Sequence, residues 1–275
     1  MWVDPVAPAG PLWHRPGMRG TGWRNWSGDQ RAQPVRIEVP QDAAEVAAAV
    51  KAAARDGLRV RMAGSGHSFT GAALTDGVLL HPAALTGLVS VDTAARTATV
   101  RAGTRLHELN RLLGAHGLAL ENLGDVDRQT VAGALATGTH GTGLSYGGLA
   151  TQVTALELVA ADGSVVTCSA GERPDLFAAA AVGLGAYGIV TAVTLRCERA
   201  FVLHAVEEPA NLGELLDGGF DELVQANEHA EFYWFPHTED CLVKRNNRVR
   251  AGERPRPLRW ARRVLDDELV ANGAF

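Results

Sequence analysis

Gly64-Ser65-Gly66-His67-Ser68-Phe69 sets a histidine and two hydroxyls inside a short glycine-containing loop. Successive N–H groups in such a turn can form a concave nest for a pyrophosphate. An ordinary tight turn fits the same composition, because Gly and Ser are common turn residues. The loop is not a dinucleotide fingerprint, since Phe69 stands where the third Gly of G-x-G-x-x-G belongs. A second run, Ala134-Leu135-Ala136-Thr137-Gly138-Thr139-His140-Gly141-Thr142-Gly143, gathers three threonines, three glycines and a histidine within its last seven residues. Small residues let a planar ligand approach the backbone, and the hydroxyls can bond its polar edges. A polar loop at a helix end satisfies that composition equally.

Other candidate chemistries fail on spacing. Gly183-Leu184-Gly185-Ala186-Tyr187-Gly188 matches G-x-G-x-x-G, but the pattern around it puts a helix before it and a strand after it, the reverse of a nicotinamide-dinucleotide site. There is no phosphate-binding G-x-x-x-x-G-K-[ST]. The nine histidines show no H-E-x-x-H or other i, i+4 pairing, and Cys168, Cys197 and Cys241 lie far apart, so no metal site is expected. Gly64-Ser65-Gly66 and Gly163-Ser164 lack the G-x-S-x-G elbow of a serine hydrolase. Lys244 to Arg263 carries nine Lys or Arg against only Glu253, and we read it as a solvated loop rather than an anion-binding face.

The elements that must position these loops follow from periodicity. Asp42 and Glu45 have capping-box spacing, Val46, Val50 and Ala53 share a face, and Gly57 stops that helix. Leu58 to Ala63 alternates like a strand and runs directly into Gly64. Val78-Leu79-Leu80 reads as a strand, and Leu88 to Asp92 with Thr97 to Arg101 as a hairpin. Thr104 is expected to cap a helix from Arg105 to His116, ended by Gly117. Val153 to Ala161 and Ser164 to Cys168 flank Asp162-Gly163, the signal for a type I′ hairpin. The uncharged stretch from 176 to 195 satisfies the length criterion for a membrane span. Its glycines and the Pro174-Asp175 start instead predict a short helix, a Gly turn and a buried strand. Beyond about residue 200, strands are expected at Phe201 to Glu207, Glu231 to Phe235 and Leu242 to Lys244, with a helix around Leu212 to Gln225 and one short helix near the end.

Composition bounds the whole. The chain has 275 residues, 46% hydrophobic and 21% charged, enough for one large domain or two smaller ones. A net charge of -5 argues against a protein whose surface grips nucleic acid. An odd, scattered set of three cysteines fits a reducing cytoplasm better than a disulfide framework. The proline-rich start lacks the apolar run of a signal peptide and reads as an irregular leader.

Taken in order, Trp23-Arg24-Asn25-Trp26-Ser27-Gly28, the Gly64 to Phe69 loop, Asn122-Leu123-Gly124-Asp125, Ala136 to Gly143 and Gly188-Ile189-Val190-Thr191 resemble one family. It is the sugar-lactone oxidase group of the vanillyl-alcohol-oxidase flavoproteins, whose members include D-arabinono-lactone, L-gulono-lactone and alditol oxidases. The resemblance implies an α+β, two-subdomain fold (a PCMH-type FAD-binding domain) followed by a partial α+β cap. The expected boundaries are a leader at 1–19, the FAD domain at 20–199 and the start of a substrate domain at 200–275.

It further implies that Gly64, Ser65, Gly66 and Ser68 cradle the pyrophosphate and that His67 carries the flavin covalently through its ring methyl. Gly124, Asp125, Gly133, Thr137, Gly138, Thr139, His140 and Gly141 would line the flavin, and backbone groups of Ile189 and Val190 would meet it. The implied reaction is oxidation of a D-arabinono-1,4-lactone or L-gulono-1,4-lactone by hydride transfer to FAD, with oxygen or another acceptor reoxidising the flavin. An alditol oxidase and a non-catalytic flavin-binding fragment are the alternatives. No nucleic-acid partner is expected, and peripheral membrane association is left open. The family's acid-base residues have no counterpart before Phe275, so the cap is expected to be truncated and the catalytic base is not assigned.

Overall fold

The computed structural model describes residues 22–249. They form two units: the first runs to Thr142 and from Tyr146 to Ala200, and the second comprises Gly143–Ser145 and the chain from Phe201.

The first unit opens with a two-stranded antiparallel ribbon, β1 (Trp23–Arg24) and β2 (Arg31–Ala32). β3 (Arg36–Glu38), α1 (Ala43–Arg55), β4 (Val60–Met62) and β5 (Val78–Leu80) then build a parallel sheet in the order β3-β5-β4. Parallel strands need crossovers: α1 carries the chain from β3 to β4, on the other side of β5, and the segment 63–77 carries it from β4 to β5. Both ends of α1 follow the local code. Asp42 Oδ1 accepts the Glu45 N–H at 2.9 Å. The Glu45 carboxylate accepts from the Gln41 N–H rather than from that of Asp42, one residue away from the usual capping box. At the other end Gly57 (φ +68°) turns the chain. Leu58 N–H then reaches Ala53 C=O and Gly57 N–H reaches Ala54 C=O, a Schellman closure. The buried face of α1, with Val46, Val50 and Ala53, packs with Val78 and Leu80 of β5. Each such buried valine contributes about 1.5–3 kcal/mol.

β6 (Leu88–Asp92), β7 (Thr97–Arg101), α2 (Leu106–Gly114), β8 (Leu118–Ala119), α3 (Val131–Ala136), β9 (Val153–Val159), β10 (Val165–Ser169), α4 (Pro174–Ala180), β11 (Ile189–Arg196) and β12 (Glu198–Arg199) complete the unit. Five of these strands form an antiparallel sheet in the order β10-β9-β11-β7-β6. Leu106, Leu109 and Leu113 of α2 and Val131, Ala134 and Leu135 of α3 share the main core with Val100, Leu156, Leu158, Val193 and Leu195 of that sheet. The uncharged stretch is the expected helix, turn and strand. Among the described residues no helix is long and apolar enough to cross a membrane.

Two local expectations fail for identifiable reasons. Thr104 does not cap α2. Its hydroxyl donates to Arg101 C=O and accepts the Gly87 N–H, and Arg105 occupies the cap position without a side-chain bond. The first N–H groups of α2 go instead to the carbonyls of Gln129 and Asp127. The β9–β10 connection is not type I′, which needs two residues at positive φ; Gly163 (φ +75°) has it and Asp162 does not. Gly163 N–H bonds Ala160 C=O and Ala160 N–H bonds Ser164 C=O, which makes a three-residue loop ending on a left-handed glycine.

In the second unit β13 (Leu203–Asn211), α5 (Leu212–Glu214), α6 (Phe220–Ala226), β14 (His229–Trp234) and β15 (Asp240–Arg248) form a sheet in the order β13-β15-β14 with broken helix before β14. A kink at Asp217 and Gly218 (φ +106°), where the backbone leaves helical geometry, separates α5 from α6, so the expected continuous helix is interrupted. Phe220 and Phe232 meet edge to face at 5.1 Å beside Leu215, Cys241 and Val243. The start of the basic run is strand, not loop. Lys244, Arg245 and Arg248 lie on β15 and pair with Glu231, Glu208 and Glu228. The rest of that run, the leader and the expected terminal helix lie outside the described residues.

Candidate functional site

β4 delivers the chain into the Gly64–Ser68 loop, which forms one wall of a cleft within the first unit. Ala63 N–H still bonds Leu80 C=O, so the loop leaves the sheet at Gly64. Among the described residues, the N–H groups of Ser65, Gly66, His67 and Ser68 donate to no protein acceptor. Backbone donors in a partly buried turn seldom go unmatched, so four in succession beside a cleft fit an anionic ligand. Ser65 Oγ is already committed, donating to Arg128 C=O at 2.7 Å.

The facing wall is α3 and the turn before it. A Cβ on Gly64 would collide with Thr130 Oγ1, and one on Gly133 would come within 2.8 Å of the same atom. Thr130 Oγ1 itself caps α3 by accepting the Gly133 N–H. These two glycines therefore let loop and helix approach backbone to backbone. The remaining wall is the start of β11 with Ile189 and Val190, and the Gly183–Gly188 turn. Arg61 is the only fully charged side chain among the described lining residues, and no carboxylate faces the cleft. One cation, bare N–H groups, hydroxyls and apolar walls at Met62, Leu156, Leu158 and Ile189 suit a long ligand with an anionic middle and flat aromatic parts.

His67 stands in this wall, partly buried. Burial first, and then the Arg105 guanidinium, hold its pKa below the ordinary imidazole value of 6.5. Trp26 stacks on it, with ring centroids 5.8 Å apart and planes at 24°.

Of the residues expected to hold a cofactor, Gly64, Ser65, Gly66, His67, Ser68, Gly133, Thr137, Ile189 and Val190 are brought together on the cleft. Gly124, Asp125, Gly138, Thr139, His140 and Gly141 are not on its wall. A Cβ on Gly141 would strike Leu123 C=O, and one on Gly124 would sit 2.8 Å from His140 C=O, so the two segments are pressed together. Thr139 exchanges hydrogen bonds with the Gln129 side chain, and Gln129 does line the cleft. The Gly183–Gly188 turn, set aside as a dinucleotide motif, was missed as cleft wall. Its signal was adjacency to Ile189, since a strand that meets the ligand at its first residue must be preceded by a turn that also meets it.

A family model described as an FAD binding domain matches residues 34–169, and one described as D-arabinono-1,4-lactone oxidase matches 193–275. The L-gulono-1,4-lactone dehydrogenase of Mycobacterium tuberculosis is 40% identical over 251 residues, 91% of this chain and 57% of that protein. The L-gulonolactone oxidase of Mus musculus is 39% identical over 82% of this chain and 51% of its own. The D-arabinono-1,4-lactone oxidase of Eremothecium gossypii is 35% identical over 81% and 42%. The chain thus spans about half the length of these relatives. A crystal structure of cholesterol oxidase from Brevibacterium sterolicum superposes with a TM-score of 0.74 at 22% identity, covering 88% of this chain and 51% of that one, a likeness of fold alone.

Proposed function

This chain belongs to the FAD-binding flavoprotein family of the gulonolactone and arabinonolactone oxidases and dehydrogenases, and we propose that it oxidises a sugar 1,4-lactone with an FAD joined to His67. The observation that carries this reading is the run of four unclaimed N–H groups from Ser65 to Ser68 with the His67 imidazole among them. Those groups would hold the pyrophosphate, with Gly64 and Gly133 allowing close approach. Thr137, Ile189 and Val190 would line the rest of the cofactor. Thr139 supports that wall through its hydrogen bonds to Gln129.

FAD when bound supplies the hydride acceptor. The protein's part in attachment is to keep His67 unprotonated and correctly aimed. In the net step a His67 ring nitrogen bonds the methyl carbon of the flavin's dimethylbenzene ring. The methyl C–H and the imidazole N–H are given up, and their two protons and two electrons pass to the flavin. The electron acceptor of turnover, oxygen giving hydrogen peroxide or another two-electron oxidant, then removes them. The second unit, from Phe201, is assigned to the substrate side. In the reaction a hydride leaves a lactone carbon bearing a hydroxyl, and the hydroxyl proton goes to a base. The described cleft residues offer no carboxylate for that role.

Anaerobic mixing of the yellow protein with L-gulono-1,4-lactone, D-arabinono-1,4-lactone and xylitol tests the reading. A lactone is expected to bleach the flavin absorbance. Bleaching by xylitol alone would make the chain an alditol oxidase. No bleaching by any of them would make this chain a flavin-binding module without turnover.

A further inference from the structure

The ribbon β1–β2 and its Asn25–Gln30 turn, part of the first motif singled out in the sequence, carry none of the cofactor contacts assigned above. Asn25 is 3% exposed and sits at the centre of a dense set of bonds. Its Oδ1 accepts the N–H groups of Gly28 at 2.9 Å and Gln30 at 3.0 Å. Those two acceptances fix which way the amide points. Its Nδ2 therefore faces Ser68 C=O at 2.9 Å, Asp29 Oδ1 at 2.6 Å and Ser27 Oγ at 2.9 Å, sharing two hydrogens among three acceptors. The next residue reaches the same loop through its backbone, Trp26 N–H donating to Gly66 C=O at 2.8 Å.

The two bonds from this turn to the loop therefore land on the carbonyls of Gly66 and Ser68, the residues on either side of His67. Gly66 (φ +73°) lies so close that a Cβ there would come within 3.3 Å of Asn25 Cα and of the Trp23 ring. The Trp26 indole then covers the His67 ring itself. A loop whose own N–H groups are left for a ligand has few internal bonds to stiffen it, and this turn supplies the stiffness from outside.

We infer that Asn25 is a positioning residue for covalent flavin attachment: together with the Trp26 N–H it pins the Gly66 and Ser68 carbonyls on either side of His67, so the imidazole is held at the methyl carbon it must bond. This rests on the proposed His67–FAD link. Attachment needs the reacting atoms near van der Waals contact, and a displacement of about 1 Å can slow such a step by about 100-fold. FAD binding itself draws on the whole cleft and is far less sensitive to His67's aim.

The test separates these two quantities. Wild type, Asn25→Ala, Asn25→Asp, Trp26→Ala and Trp26→Phe are purified, total FAD per chain is measured, and the fraction that stays with the acid-precipitated protein is followed over time. In both Asn25 variants covalent attachment per bound FAD is expected to slow about tenfold or more, beyond any loss of bound FAD itself. Asp retains the acceptor for Gly28 and Gln30 but has no N–H for Ser68, so it does not rescue. Trp26→Ala, at an exposed position, should slow attachment several-fold, and Trp26→Phe, which keeps a stacking face, should restore it. Parallel loss of bound and covalent FAD would show a merely structural role and overturn the inference, as would wild-type attachment rates in the variants. If an Asn25 variant fails to fold, the Trp26 pair decides. Wild-type protein that releases all its flavin on precipitation would overturn the His67 link and this inference with it. Wild type that retains flavin, with variants that retain it equally fast, would overturn the inference alone.

Discussion

The His67 imidazole loses its proton more readily than a free histidine, because burial and the Arg105 guanidinium both oppose its charged form. A nucleophilic role needs the neutral ring. Its depressed pKa keeps the ring neutral to a lower pH than the ordinary 6.5. The rate of covalent flavin incorporation is therefore expected to fall in acid with a midpoint below 6.5. A midpoint above 6.5 in a rate–pH profile would refute that environment. Gly64 makes a second prediction, because a methyl group there strikes Thr130 Oγ1. Overpacking of this kind costs about 1–3 kcal/mol, so in a His67→Ala background, where no covalent link can form, Gly64→Ala should weaken FAD binding by about tenfold or more, measured by flavin retention on dialysis. The cysteines are the chemically quiet residues. All three are buried, and burial raises the Cys197 thiol to about 11. A thiol reagent at pH 8 should modify none of them until the protein is unfolded, when all three react; rapid modification of the native protein would contradict their placement.

Helix α1 and its flanking strands were legible because their signals are local. Asp42 and Gly57 act on groups within five residues of themselves, so side-chain type and spacing were enough. Asp42→Ala is expected to lower stability by about 1 kcal/mol, and Gly57→Ala by a similar amount because of its positive φ. Denaturant melts would show the loss as a shifted midpoint with unchanged slope. What stayed hidden depends on partners distant in sequence. Thr104 has the look of a helix cap, yet its hydroxyl accepts from Gly87, 17 residues back. Lys244, Arg245 and Arg248 look like a solvated run, yet cross-strand carboxylates at Glu231, Glu208 and Glu228 make them one strand of a sheet. Asp162-Gly163 marked a hairpin correctly but not its turn type, since only the observed φ angles separate a two-residue loop from a three-residue one. The site shows the same division. The Gly64–Ser68 loop could be found from its composition, whereas the need for glycine at Gly124 and Gly141 lies in the close contact between two loops.

At the scale of the molecule, the cleft of the first unit is built from a parallel sheet that launches the Gly64–Ser68 loop and an antiparallel sheet that closes the far wall. The family models cover both the FAD domain and the chain beyond residue 193. The proposed substrate side begins on the second sheet, where Phe201 onward forms a unit of its own. A ligand that binds only the folded state stabilises it by mass action. Protein carrying FAD should therefore melt higher than protein produced without it, and a covalent cofactor should make that difference independent of dilution. The most direct test of the central claim is peptide mapping of the wild-type protein after acid precipitation and proteolysis. The peptide containing His67 is expected to carry the mass and the visible absorbance of a flavin, and His67→Ala is expected to abolish the adduct. An unmodified His67 peptide, with all the flavin in the acid supernatant or attached elsewhere, would contradict the account.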